Sequence, residues 1–206
     1  NILSPRVQIS EPIRLHVEVC SSDNIKSMKD LVSWKIMLAS DNAHFIIDRF
    51  KQHSEWKSIL INMLNDFYIL LLNELDITNK LGGADYFSDL SYIKHPSIKD
   101  DPQNSYYEDW DILIDLCRDA WLETADKNVT LAKAFANVWW ETPYPIFKRL
   151  ALFAATDTRI ISKLQSIKWL LSDGMRWLWS IEVQHEVIQL LKSIAPTLNI
   201  STMNKL

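Results

Sequence analysis

Glu182-Val-Gln-His185 sets a carboxylate and an imidazole three residues apart, and Asp41-Asn-Ala-His44 repeats the spacing. On helices, such pairs project one way, and with two further carboxylates they build di-metal centres in bundles. Here one pair carries Asp for Glu, no further carboxylates are marked out, and the surrounding pattern is not four matched long helices. Solvated histidines are the simpler expectation. His185-Glu186 lacks the second histidine of a zinc-protease helix. Asp100-Asp101 runs into Pro-Gln-Asn and reads as a turn. There is no G-x-S-x-G, and neither Cys20 nor Cys117 has a histidine placed beside it. These residue types point away from catalysis: no catalytic set, metal site or cofactor is expected, and a small helical di-metal enzyme ranks third among the readings.

Residues suited to binding stand out more clearly. From Tyr106 onward, Trp110, Leu113, Ile114, Cys117 and Trp121 share one helical face, and Glu108, Asp111, Asp115, Asp119, Glu123 and Asp126 form another. Like charges at that spacing repel, so the ridge is either solvated or meets a basic partner. Asp111, Asp115 and Asp119 are the candidate contacts on it. His95 from the preceding loop joins them, with Trp140 and Trp177 from two aromatic clusters. In ANVWWETPYPIFKRLALFAA (136–155), Thr142 can cap a helix that starts at Pro143 and Pro145, where a missing N–H does no harm. The stretch is a helix corner. Adjacent Trp139 and Trp140 stand about 100° apart, so one is expected in the core and the other against a neighbouring element. Arg149 falls in a first turn, where the helix dipole disfavours a cation. A carboxylate is expected to hold it, with the acidic ridge as the candidate source. Trp169, Trp177 and Trp179 are expected mainly in the core.

The elements that would carry these residues are helical. Ile13, Leu15, Val17 and Val19 alternate with polar residues, so residues 1–20 are read as an extended entry segment, either a strand whose partner lies outside the fragment or, as the alternative, a short N-terminal helix. A helix is expected from a Ser22 or Asp23 cap to about Ala39, and a second over 42–52. The third carries Trp56, Leu60, Leu64, Phe67, Leu71 and Leu75 as a wide stripe and ends before Gly82-Gly83 in a left-handed cap. The 82–104 stretch is a long irregular loop, read as a solvated connector. Helices resume from Ser105, over 130–140, 145–155, 159–171 and 181–194, and 196–206 is a tail. The reading is one all-α domain, an irregular antiparallel helical array of the HEAT or tetratricopeptide kind, with helical halves at 21–81 and 105–195.

Composition bounds the rest. Three glycines in 206 residues disfavour phosphate loops and hairpin-rich folds. A formal charge of −4 disfavours nucleic acid. No apolar run has the length of a membrane span. Two distant cysteines fit a reducing, cytoplasmic setting. The chain begins at Asn1, which is read as a piece of a longer protein.

HPSIKDDPQNSYYEDWDILIDLCRDAWLE, WWETPYPIFKRLALFAA and WLLSDGMRWLWSIEVQHEVIQLL, in that order, resemble the helical C-terminal regions of large bacterial proteins with sirtuin-like or signal-transducing ATPase modules upstream, many of them antiviral. The resemblance covers roughly residues 95–195. It implies a sensing or binding role, with enzyme activity in an upstream domain, and it carries over no functional residue. The leading expectation is therefore a non-catalytic module that binds a protein partner, a phage protein or the rest of its own chain. The alternative is a structural scaffold that forms homo-oligomers.

Overall fold

The structure is a computed structural model that describes residues 2–10, 33–104 and 109–197. The expected strand at 13–19, Cys20 and the start of the expected 22–39 helix lie outside the described residues. Among the described residues the chain is mostly α-helical, with one two-stranded sheet.

The end of the expected first helix is instead a strand. β1 (Pro5–Ser10) pairs antiparallel with β2 (Ser33–Leu38), Pro5 opposite Leu38 and Ile9 opposite Trp34. SWKIML alternates, so Ile36 and Leu38 are buried while Ser33 and Lys35 are exposed. Period two won over the helical reading because six residues suffice for a strand once β1 supplies its ladder.

α1 (Ala43–Lys51) buries only Ala43 and Ile47. α2 (Trp56–Lys80) buries Leu60, Leu64, Phe67, Leu71, Glu74 and Leu75 on one stripe, as the spacing predicts, apart from the acid. It ends in a Schellman cap. Gly82 takes φ +77°, Gly82 N donates to Asn79 O, and Gly83 N donates to Thr78 O at 2.9 Å. Gly83 has a second role. A Cβ there would come within 2.5 Å of Trp34 Cη2, so only glycine lets the end of α2 close on β2. Gly83→Ala is expected to cost about 1–3 kcal/mol by overpacking. A denaturant midpoint within error of wild type would contradict this close packing.

α4 (Ile112–Lys127) follows the short turn α3 (Ser91–Lys94) and a 3-10 turn at Asp109–Asp111. It lies along α2, with α5 (Val129–Glu141) against it and α6 (Pro145–Ala155) beyond. Asn128 caps α5 by accepting Leu131 N at 3.0 Å. Pro145 sits at the first position of α6, whereas Pro143 stays in the corner and Thr142 closes α5. α7 (Lys163–Leu171) is capped by Ser162, and α8 (Arg176–Trp179) is a single turn. α9 (Gln184–Ile194) returns to α6. α4 thus packs on both α2 and α5, and α6 on both α5 and α9. On α6 every residue except Phe153 is buried, including Lys148 and Arg149. A helix enclosed on all sides must find partners for its cations inside the protein.

Trp139 is fully buried beside Trp121, ring centroids 6.4 Å apart, and Trp140 stacks on Trp169 of α7 at 5.0 Å. One indole is core and the other bridges to the next element, as expected.

Candidate functional site

Arg149 organises the interior. Its Nε donates to Glu186 Oε2 at 2.8 Å and its Nη2 to Glu186 Oε1 at 3.0 Å, a two-pronged pairing of α6 with α9. Nη2 also donates to the His95 carbonyl at 2.8 Å, and Nη1 to Ser91 Oγ at 3.3 Å. Glu186 Oε1 in turn accepts Ile98 N at 2.9 Å. The expected carboxylate is present, but it comes from α9 and not from the acidic ridge. Burial pushes the Glu186 carboxyl upward, yet the Arg149 charge and hydrogen bonds from His185, Arg149 and Ile98 N outweigh it and hold the group at about 2.

The acidic ridge is corrected as well. Asp111 and Asp115 are buried, because α4 is covered on several sides. Asp115 pairs with Arg118 of its own helix and lies 3.2 Å from His95 Nε2. Arg118 also reaches Asp119 at 2.7 Å and donates to the Ile98 carbonyl at 3.1 Å. Farther along, Glu123 meets Lys57 at 3.4 Å, and Asp126 lies 3.7 Å from Arg159. Asp111, Asp115 and His95 are therefore interior groups rather than surface contacts, and Asp119 is half-buried. The charges of Asp115 and Asp119 are offset by Arg118, which stands between them on the same helix.

Both ion-pair systems grip the same chain segment. Arg149 and Glu186 hold residues 91–98 from one side, and Arg118 holds Ile98 from the other. Asp89 adds a third fastening: Oδ1 accepts Ser91 N at 2.9 Å and Oδ2 accepts Ile146 N at 2.7 Å. The carboxylate thus caps α6 from across the fold, in the place expected for Thr142. Leu90 between these anchors has φ +58°, a conformation that costs a side-chain-bearing residue on the order of 1 kcal/mol or more. The loop read as a solvated connector is a strained segment fixed by buried charges.

Trp140 and Trp177 are also buried, and the structure brings them together at Lys148. Its Nζ donates to the Trp140 carbonyl and lies 5.1 Å from the Trp140 ring centroid and 5.6 Å from that of Trp177. Burial lowers the Lys148 pKa, opposed by Glu141 and Asp173. Of the candidate residues, His95 meets Asp115, Asp115 and Asp119 share Arg118, and Trp140 and Trp177 share Lys148.

What stays outside is an apolar face that periodicity could not mark, because its elements are single turns. Phe87, Ile93, Ile181 and Trp179 are 52%, 57%, 61% and 78% exposed. Arg176 stacks over the Phe87 ring at 3.4 Å, and α3 packs against the 181–183 turn, so the two segments are neighbours.

His185 Nδ1 lies 3.3 Å from Glu186, and Asp41 lies 3.6 Å from Arg6. Among the described residues no cluster of three or more metal-binding side chains occurs, and no helix is long and apolar enough to cross a membrane. No protein-family model, curated protein or solved structure matches this chain.

Proposed function

We propose that this chain is a non-catalytic recognition module that binds a protein partner through the face formed by residues 86–93 and 175–181. One observation carries the reading: a segment fastened by the buried groups Asp89, Glu186 and Arg118 presents Tyr86, Phe87 and Ile93 outward, beside Trp179 and Ile181. Rigid display of aromatic and aliphatic groups lowers the ordering cost of association. Tyr, Phe, Trp, Met and Arg are the side chains that protein interfaces favour, and this face has Tyr86, Phe87, Trp179, Met175 and Arg176. A net charge of −4 makes nucleic acid a poor partner. The resemblance of residues 95–195 supports a sensing role in a larger cytoplasmic bacterial defence protein, with a phage protein or an upstream domain as the bound surface.

The double substitution Trp179→Asp/Ile181→Asp tests this. Both side chains are exposed, so folding should change little, while binding should weaken at least tenfold. Wild type and variant would be compared as baits in lysate from infected and uninfected bacteria, with each captured protein titrated afterwards. A partner held equally by both forms would reject the face. If only the chain itself is captured, and light scattering shows an oligomer that the double variant dissolves, the scaffold alternative takes its place.

A further inference from the structure

A cavity of about 240 Å³ lies between β2, the end of α2 and the 83–94 segment. Trp34 and Trp110 contribute to its walls, and Glu74 and Asp89 are its carboxylates. Asp89 is committed, since its two oxygens accept Ser91 N and Ile146 N. Glu74 is not. It is 1% exposed, its Oε1 accepts the Thr78 hydroxyl at 2.8 Å, and its Oε2 has no hydrogen-bond partner among the described residues. A buried acceptor without a donor is unfavourable, and this one lines a space large enough for a guest.

The lining defines the guest. Indole faces attract cations, and Trp110 already has the Lys94 ammonium 5.7 Å from its centroid. A carboxylate oxygen adds a negative acceptor for an N–H. Two carboxylates, one of them committed, make a poor donor set for a metal ion. The volume equals the liquid share of about eight waters, which suits a molecule of roughly that many heavy atoms. We propose that this cavity binds a small organic ammonium ion whose N–H donates to Glu74 Oε2 and whose charge lies beside the Trp34 indole.

Binding would be coupled to proton release. Burial above all, then Asp89 and Asp111, raise the Glu74 pKa to about 8, against the Thr78 hydroxyl and Lys94; Lys35 also lines the cavity. The carboxyl therefore holds a proton at neutral pH. An incoming ammonium needs the carboxylate, so one proton leaves for solvent as the salt link forms. This site is independent of the exposed face, although Leu90 and Lys94 belong to the segment that borders both.

Calorimetric titration of the full chain with benzylammonium, and with benzyl alcohol as the neutral isostere, tests the assignment. Saturable benzylammonium binding is expected, with Kd falling about tenfold per pH unit between roughly pH 6 and 7.5. Buffers of different ionisation enthalpy should report one proton released per molecule bound. Benzyl alcohol should bind at least tenfold more weakly. Glu74→Gln should weaken the ammonium at least tenfold and remove the pH dependence. The wild-type pH profile decides independently should that variant not fold. Absence of saturation, equal affinity for the alcohol, or a pH-independent Kd in wild type would each overturn the proposal.

Discussion

Arg149→Met is expected to destabilise the protein by about 3–5 kcal/mol, the usual result of removing one partner from a buried ion pair. For a chain of this length that corresponds to a fall in Tm on the order of 10 °C. The loss comes less from the missing attraction than from what is left behind. Glu186 would stay 3% exposed with its guanidinium gone, and the His95 carbonyl would lose a charged donor. Glu186→Gln tests the other side of the pair and should cost a similar amount. The double variant Arg149→Met/Glu186→Leu should recover part of the loss, but not all of it, because Ile98 N and the His95 carbonyl still need partners. The pair also has a pH signature. Glu186 is held at about 2 against an ordinary value of 4.5, so its contribution is complete above about pH 4.5 and is lost as pH falls through 2. Thermal melts from pH 2 to 7 would check this: wild type should lose stability towards acid through this group, and Arg149→Met should lose less. An unchanged melting profile in Arg149→Met would contradict the clamp.

Glu74→Gln is expected to do the opposite and stabilise the protein, increasingly so as pH rises. The folded-state pKa of about 8 lies above the ordinary 4.5, so between those values the folded chain holds a proton that the unfolded chain has released. Stability therefore falls with rising pH across that window, at up to about 1.4 kcal/mol per unit, and the penalty is complete above pH 8. Glutamine has nearly the same shape and no charge to bury. The variant should match wild type near about pH 5 and exceed it by roughly 3–5 kcal/mol near pH 8. Urea midpoints of the two proteins at several pH values measure the difference directly. A constant gap between them would mean that Glu74 is ionised in the folded protein throughout. The two acids act in opposite directions, Glu186 favouring neutral pH and Glu74 favouring mild acid.

Much of the helical framework is legible in the chain. The stripe of α2, the glycine stop after it and the proline start of α6 follow from local rules: apolar recurrence at 3.6 residues, a left-handed cap, and a ring that pre-sets φ. The need of Arg149 for a carboxylate is also readable, since a cation in a first turn beside apolar residues requires one. Glu74 could have been flagged, because it falls on the same stripe as Phe67 and Leu71, where an acid is out of place. β2 was hidden by its brevity. Six alternating residues become a strand only when β1, more than twenty residues earlier, lies alongside.

Other features belong to the tertiary structure alone. Which acid meets Arg149, that Asp89 caps α6, and that Asp115 faces inward all depend on groups far apart in sequence. An amphipathic pattern tells which faces differ, not which of them is covered. On α4 the acidic face looks solvent-bound by composition, yet Arg118 and His95 make its burial tolerable. The sequence by itself determined the long helices, several of their ends and the demand for counter-charges, because those are local. Only the packing of α2, α4, α6 and α9 decided who answers that demand, because burial and pairing are properties of neighbours in space.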